Sequence, residues 1–209
     1  MCFTAAKRVN TLAISESAAF GMGHMRQQRE IIIVAYDPAW VERFREEASC
    51  IATVFGGDLL SLHHIGSTSI PGMSAKPIID IMPVVRDISR AETFNEGMIQ
   101  LGYIPMGEYG IAGRRYFAKG ADPRAHQVHS YQPDNPEVKR HLDFRDYLIA
   151  HEDEAGQYAK LKAGLAEQHR YDIEAYTQGK ATFIKGVLAK AQAWRLLSGG
   201  QGYSSSFTR

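Results

Sequence analysis

The sequence predicts an α+β (or α/β) fold in which a small mixed β-sheet has flanking helices and is followed by a C-terminal helical layer. Two strand-like segments, 60–65 and 78–85, lie on either side of a loop rich in Gly, Ser, Thr and Pro. From Pro136 onward, apolar residues recur instead with a helical period. Because strands and helices do not alternate regularly, a classical doubly wound sheet is not expected.

Local signals place the individual elements. Asp37 and Pro38 are typical of a helix N-terminus, and Gly56-Gly57 is typical of its end. The segment 78–85 is too apolar to have an exposed face, which predicts a buried strand. The other predicted elements are, in order, a helix capped by Ser89 and ended by Gly102, strands at 114–119 and 125–131, and helices at 136–150, 153–169 and 172–196. The first of these last three helices follows a cap at Asp134-Asn135.

Composition bounds the class of protein. With 209 residues and 44% hydrophobic content, the chain can form one cored domain, which we place at 30–197. We expect 1–29 to be a disordered extension and the Gly/Ser-rich 198–209 a disordered tail. The 24 Lys and Arg nearly balance the 23 Asp and Glu, which argues against nucleic acid as a partner. Two cysteines without metal or redox spacing, and no long apolar run, predict a cytoplasmic protein without a membrane partner.

The loop after the first predicted strand is the most informative segment. Gly66, Ser67, Thr68 and Ser69 combine a close backbone approach, hydroxyl groups and a turn that exposes main-chain N–H groups, as a phosphate cradle requires. Met73 stands where a Walker A loop would have its lysine, so the loop is not of that type.

Asp80 lies inside the otherwise apolar second strand. A carboxylate there is costly unless it is paired, hydrogen-bonded or bound to a metal. It is therefore a candidate metal or substrate ligand. The alternative is a structural ion pair with Lys76 or Arg115.

The run HIGSTSIPGMSAKPIIDI at 64–81 resembles the signature of the GrpB family. The resemblance extends from about Ile33 to Lys190 and includes the segments 36–44, 115–117, 126–129, 142–148, 158–162 and 174–180. The family is assigned to the nucleotidyltransferase superfamily. It is also similar to a domain fused to dephospho-CoA kinase in some bacteria.

The resemblance implies a nucleotidyltransferase-like fold with Mg²⁺ as cofactor, a nucleoside triphosphate as substrate and a small molecule as acceptor. In the superfamily, two carboxylates one residue apart hold two metals, and a third comes from a later strand. This chain departs from that pattern, because Met82 stands where the second carboxylate would be. One alternative is a catalytically degenerate nucleotide- or phosphate-binding module. Another is a phosphate-ester hydrolase that uses Asp80 and His129 around one metal.

Further candidates complete the predicted site. His129 is a candidate catalytic residue and metal ligand, and it should face away from His126 because strand residues alternate. Glu108 is a candidate third metal ligand. Four basic residues are predicted to hold phosphate: Lys76, Arg115, Lys162 and Lys180. Each has a structural alternative: a satisfied histidine for His129, a solvated acid for Glu108, an ion pair with Asp80 for Lys76, and side chains extending to solvent for Lys162 and Lys180.

Two further predictions concern the support of the site. His64 is expected to position the loop by a hydrogen bond. Arg145 and Asp146 are expected to form an ion pair that fixes the helical layer to the sheet.

Overall fold

The computed structural model describes residues 30–120 and 125–197, so the predicted extension and tail lie outside the described residues. Five strands form one mixed sheet in the order β1-β2-β5-β4-β3. Strands β2 and β5 run parallel, and the other neighbouring pairs are antiparallel. The strands are β1 Leu59–Ile65, β2 Ile79–Val85, β3 Tyr103–Pro105, β4 Arg115–Lys119 and β5 His126–Ser130. The predicted α+β class is therefore confirmed.

In the described part of the chain, six α-helices accompany the sheet. They are α1 Ala39–Phe55, α2 Asn95–Gln100, α3 Pro136–Ala150, α4 Glu152–Gln168, α5 Ile173–Gly179 and α6 Ala181–Leu197. Asp37 accepts a hydrogen bond from the backbone N–H of Ala39, and Asn135 caps α3 through the N–H of Glu137, as the sequence predicts. Within 30–120 and 125–197, no helix combines the length and apolar character needed to cross a bilayer.

Each face of the sheet has its own core. On β2, Ile79 and Ile81 belong to the cluster that contains the buried residues of α1, among them Phe44 and Ile51. Met82 belongs to a second cluster, which includes Val138 and Leu142 of α3. Because strand residues alternate, Asp80 shares the face of Met82. The site therefore lies on the face that α3 covers.

Two boundaries differ from the prediction. The predicted long helix at 172–196 is wrong, since α5 ends at Gly179 and α6 begins at Ala181. A Cβ on Gly179 would lie 2.5 Å from a methyl group of Leu165, so α5 packs too closely on α4 for a larger residue. Ser89 is not the cap of the second helix, because the side chain of Asp87 accepts from Ser89 N at the start of a 3₁₀ segment, Ile88–Phe94.

A buried arginine joins the helical layer to the sheet. Arg145 on α3 is 5% exposed; its Nη1 donates to the carbonyl oxygen of His64 on β1 at 3.1 Å. It also pairs with Asp146 at 2.7 Å, and Asp146 in turn pairs with Arg195 of α6 at 3.0 Å. The predicted ion pair of Arg145 and Asp146 is present, but both residues lie on α3, so the contact that joins α3 to β1 is the hydrogen bond from Arg145 to the His64 carbonyl.

Replacing Arg145 by leucine is expected to lower the free energy of unfolding by about 1–3 kcal/mol, the cost typical of losing a charge-assisted hydrogen bond. Asp146 keeps Arg195, which limits the loss. Arg140→Ala is the matched control on the same helix, since Arg140 is 47% exposed in an i,i+3 pair with Glu137. We expect it to cost less than about 0.5 kcal/mol. Urea unfolding measures both, and equal losses would contradict the anchoring role.

Candidate functional site

The carboxylate of Asp80 lies directly against the backbone of the Gly66 turn. Asp80 is opposite Ile65 in the β1–β2 register, and Gly66 follows at once. A Cβ on Gly66 would lie 2.5 Å from Asp80 Oδ2. Gly66 has φ 71° and ψ −172°, a region that is essentially restricted to glycine. Glycine is therefore required both by the conformation of the turn and by the close approach of the carboxylate, which is 28% exposed.

Hydrogen bonds beneath the turn fix its shape. Thr68 is buried, its hydroxyl donates to the carbonyl of Ile78 at 3.2 Å, and it lies 3.0 Å from His64 Nε2. Burial lowers the pKa of His64 to about 4, so the ring is neutral at pH 7. The Ser69 hydroxyl donates to the carbonyl of Gly66 at 2.6 Å. His64 thus holds the loop as predicted, and the side chains of Thr68 and Ser69 are engaged within it.

His129 contacts Asp80 from the neighbouring strand β5. Its Nε2 lies 3.4 Å from Asp80 Oδ1, and its Nδ1 lies 3.4 Å from Nη1 of buried Arg114. Because a guanidinium has no acceptor, Nδ1 accepts from Arg114 and the ring proton is on Nε2, facing Asp80. His129 therefore orients the carboxylate in this arrangement; its role as a metal ligand stays a prediction. His126 lies on the opposite face with Ile79 and Val128, as alternation predicts.

Three aromatic rings lead away from Asp80 on this side. The ring of His129 lies 5.1 Å from that of Tyr116, and Tyr116 is stacked on Tyr109 at 5.1 Å with an interplanar angle of 15°. Arg114 lies 4.9 Å from the Tyr116 ring centroid. Neither Tyr109 nor Tyr116 is among the site residues that the sequence predicts.

Three lysines converge on the other side of the site. Lys76 Nζ and Lys180 Nζ lie 5.4 Å and 4.3 Å from the centroid of the Tyr176 ring. Lys162 is 2% exposed and donates to the carbonyl of Ser74 at 2.6 Å, so the alternative that it extends to solvent is wrong. We call Lys76, Lys162 and Lys180 the lysine cluster.

Burial and, after it, mutual repulsion lower the pKa values of two lysines of the cluster. Burial, then the charges of Lys180 and Lys76, lower the pKa of Lys162 to about 7. Burial and the charge of Lys76 lower the pKa of Lys180 to about 8, while Asp80 opposes the shift. Since the cations raise each other's energy, an anion placed between them would be stabilised.

Tyr158 links the lysine cluster to the turn. Lys162 Nζ lies 4.9 Å from its ring centroid. Burial raises the pKa of Tyr158, and a hydrogen bond with the Ser67 side chain opposes that rise. Ser67 is thereby connected to α4, which carries Lys162. Tyr158 is a further functional candidate, and its place on an apolar helical row gave no signal beyond a core position.

Two predicted site residues have other surroundings. Arg115 shares its strand face with Phe117, whose ring belongs to the core on the α1 side, and it lies 3.8 Å from Glu108. The side chain of Glu108 accepts from the backbone N–H of Gly113 at 2.7 Å. The structure therefore brings Arg114, rather than Arg115, into contact with His129. The predicted phosphate and metal roles of Arg115 and Glu108 stay predictions.

The donor set at Asp80 can be tested against a divalent cation. Met82 is fully buried in the α3-side core, so no second carboxylate follows on β2. Within 30–120 and 125–197, no group of three His, Cys, Asp or Glu side chains is arranged to hold a metal ion. Mg²⁺ is commonly bound by one or two carboxylates together with substrate phosphates. Asp80 fits that mode, in which a bound nucleotide supplies the remaining oxygen ligands.

Relatives share most of the described chain. UPF0157 protein YqkA of Bacillus subtilis is 45% identical over 189 residues, which are 90% of this chain and 55% of that protein. This chain therefore spans about half the length of that relative. The crystal structure of the conserved protein GrpB from Enterococcus faecalis superimposes with a TM-score of 0.75 at 42% identity, covering 78% of this chain and 99% of that one.

More distant similarities also occur. A dephospho-CoA kinase of Mycolicibacterium paratuberculosis is 24% identical over 187 residues, which are 78% of this chain and 46% of that protein. The expected similarity to part of such kinases is thus confirmed. Terminal uridylyl transferase 4 from Trypanosoma brucei with bound CTP aligns at a TM-score of 0.44 and 11% identity, covering 86% of this chain and 55% of that one.

The family model described as GrpB protein matches residues 30–190, which takes in the Gly66 turn, Asp80 and the lysine cluster. That match covers more than half of the chain and agrees with the resemblance seen in the run 64–81. The chain belongs to the GrpB family.

Proposed function

We propose that the protein is a Mg²⁺-dependent nucleotidyltransferase that acts on a small-molecule acceptor. The observation that carries the proposal is the position of Asp80, between the Gly66 turn on one side and His129 on the other, with the lysine cluster beside the turn. A metal–triphosphate complex requires a carboxylate that can hold the cation and a group of lysines that stabilises the anion.

The residues divide into two tasks. Lys76 and Lys180 would neutralise the β- and γ-phosphates. Lys162 would add positive charge, and its hydrogen bond to the Ser74 carbonyl would stabilise the loop. The backbone of the Gly66 turn and the Ser67 side chain would contact the α-phosphate next to Asp80. A bound Mg²⁺ would supply stabilisation of the charge that develops on the transferring phosphate.

The reaction exchanges one P–O bond for another. The acceptor oxygen forms a bond to the α-phosphorus, the bond from the α-phosphorus to the bridging oxygen breaks, and pyrophosphate leaves with that electron pair. The acceptor proton passes to solvent. Lysines of lowered pKa suit the task, since they are stabilised in the charged form when the triphosphate is present.

Nucleotide binding and turnover test the proposal. Titration calorimetry with Mg²⁺ and each of ATP, CTP, GTP and UTP should give saturable binding. Lys180→Ala should weaken it about 10- to 100-fold, the effect expected for a charge-assisted contact. Lys185→Ala is the matched control, because Lys185 is exposed on α6, five residues after Lys180. Absence of binding to all four nucleotides, or equal effects of the two substitutions, would contradict the proposal.

A second function is favoured by the burial of Met82. A core methionine where the superfamily has a carboxylate is the expected result of lost catalysis with the fold retained. The degenerate module predicts saturable nucleotide binding that depends on Lys180, with no pyrophosphate released with any acceptor. The hydrolase alternative predicts free phosphate instead. Assaying pyrophosphate and phosphate in parallel separates the three.

The affinity for Mg²⁺–triphosphate should fall as the pH rises above about 7, and more steeply above about 8. In the free protein Lys162 and Lys180 lose protons with pKa values of about 7 and 8, and a bound anion raises both values. Binding therefore takes up protons, and the affinity falls by up to about tenfold per pH unit for each lysine concerned. The terminal phosphate is already ionised in this range.

Calorimetry at pH 7.5, 8.5 and 9.5, in buffers of different ionisation enthalpy, measures both the affinity and the proton uptake. Lys180→Arg is the control, because an arginine remains charged and should flatten its share of the pH dependence. A pH-independent affinity without proton uptake would contradict the role of the lysines.

A further inference from the structure

The two sides of Asp80 differ in chemistry. The Gly66 turn follows β1, and Tyr158 hydrogen-bonds to Ser67 on the side of that turn. His129 lies on β5, with Tyr116 beyond it on β4. Since β2 lies between β1 and β5 in the sheet, Asp80 is flanked by the Gly66 turn and its linked lysine cluster on the β1 side, and by His129, Arg114 and Tyr116 on the β5 side.

In-line phosphoryl transfer gives these sides different roles. The attacking oxygen and the leaving oxygen lie on opposite sides of the phosphorus. If the lysine cluster holds the leaving pyrophosphate, as in the proposed function, the acceptor hydroxyl must approach from the His129 side. The groups beyond His129 are therefore the ones placed to bind the acceptor.

Tyr109 stands out among those groups. It is 56% exposed although it is a large aromatic residue, while Tyr116 beneath it is 3% exposed. Its φ of 45° lies in the left-handed region, which bulky side chains rarely adopt. Strain of this kind persists where the surroundings impose it, and it is found preferentially at ligand sites.

Arg114 imposes this conformation. Its Nη2 donates to the carbonyl of Tyr109 at 2.6 Å and its Nε to the carbonyl of Glu108 at 3.1 Å. The same guanidinium contacts His129 Nδ1 at 3.4 Å. One buried cation thus positions both the exposed ring and the histidine that orients Asp80.

We propose that Tyr109 is the stacking platform for the acceptor, and that the acceptor is a nucleoside or a nucleoside-like molecule. Tyr109 and Asp80 are separated by the rings of Tyr116 and His129, so a ligand stacked on Tyr109 needs a hydroxylated arm to reach the α-phosphate. A nucleobase with its ribose has this form, and bases of any sequence stack on aromatic side chains. The proposal rests on the proposed function for the direction of attack.

The test uses the full chain saturated with Mg²⁺ and α,β-methylene-ATP, so that the triphosphate site is filled. Adenosine and uridine, which have no phosphate, are then titrated as probes. Tyr109→Ala should weaken their binding about 5- to 100-fold, as for loss of a stacked base, while Tyr109→Phe should stay within about twofold. The affinity for the ATP analogue should not change in either variant.

Tyr109→Gly keeps the proposal falsifiable if alanine disturbs the loop. Glycine relieves the positive-φ backbone, so this variant should fold with little loss of stability yet bind adenosine as weakly as Tyr109→Ala. Unchanged adenosine binding in Tyr109→Gly would overturn the proposal. So would a wild-type protein that binds the ATP analogue but neither nucleoside.

The two proposals fail separately. If the wild type did not bind the ATP analogue, the proposed function would be contradicted. Titration with adenosine alone would still measure whether Tyr109 binds a nucleoside. A short oligoadenylate, titrated in parallel, identifies the source of the ring. If the oligoadenylate binds more tightly than adenosine and its binding depends on Tyr109, the stacked base belongs to the end of an RNA chain. If it binds equally or more weakly, the stacked base belongs to a free nucleoside.

Discussion

Asp80→Asn is expected to reduce the rate of Mg²⁺-dependent nucleotidyl transfer by about 100-fold or more, equivalent to about 3 kcal/mol of transition-state stabilisation. Asparagine keeps the shape of the side chain and can still accept from His129 Nε2, so the fold and the Gly66 turn should be unchanged. What is lost is the anionic oxygen that Mg²⁺ prefers. Because Met82 is buried on the same face of β2, the neighbouring position offers no replacement carboxylate.

The measurement is the initial rate of pyrophosphate release as a function of Mg²⁺ concentration. Asp87→Asn is the matched control, since Asp87 follows the other end of β2 and asparagine can keep its capping bond to Ser89. A rate that stays within about twofold after Asp80→Asn, with metal dependence intact, would show that the cation binds elsewhere. We also expect the wild-type protein to bind Mg²⁺ weakly without nucleotide and more tightly when a nucleotide is bound.

Strong local signals made most of the fold predictable. The apolar run at 78–85 and the Gly/Ser loop before it correspond to β2 and the Gly66 turn within one residue. The cap and proline at Asn135 and Pro136 place the start of α3 correctly. Where hydrophobic period and end signals agree, the local sequence determines the element.

The elements that were missed depend on tertiary contacts. Strand β3 has three residues and forms the edge of the sheet through pairing with β4, so it is too short to show a period. The break between α5 and α6 follows Gly179, where α5 packs closely on Leu165 of α4, while the apolar stripe continues across the break. That break also places Lys180 at the helix junction, beside Tyr176.

The sequence predicts that Asp80 and the Gly66 turn lie together, but it does not show how the surrounding basic residues are arranged. Asp80 and the Gly66 turn are adjacent in the sheet register, and a charge in an apolar run is visible in the sequence. Lys76 lies 86 residues before Lys162 and 104 before Lys180 in the sequence, so only the fold shows that the three side chains meet. The choice between Arg114 and Arg115 depends on the phase of β4. Phe117 is a core residue on the α1 side of the sheet, and strand alternation puts Arg115 on that same face. Arg114 therefore lies on the opposite face, which is the face of the site.

Gly66→Ala is expected to have the largest combined effect on stability and binding. The backbone conformation alone should cost about 1–3 kcal/mol, because φ 71° and ψ −172° are essentially restricted to glycine. The new methyl group would also lie 2.5 Å from Asp80 Oδ2, so the carboxylate must turn away from its contact with His129. Binding of Mg²⁺–nucleotide should therefore fall below detection even at temperatures where the variant is folded.

Gly72→Ala separates these two causes. Gly72 lies in the same loop with φ 76°, yet a Cβ there would have no atom within 4 Å. It should lose about 1–2 kcal/mol from the left-handed backbone and keep its nucleotide affinity. Thermal unfolding and calorimetry on both variants give the comparison. If Gly66→Ala lost stability like Gly72→Ala but bound nucleotide like the wild type, the close approach of Asp80 to the turn would be structural and the metal–phosphate site would have to lie elsewhere.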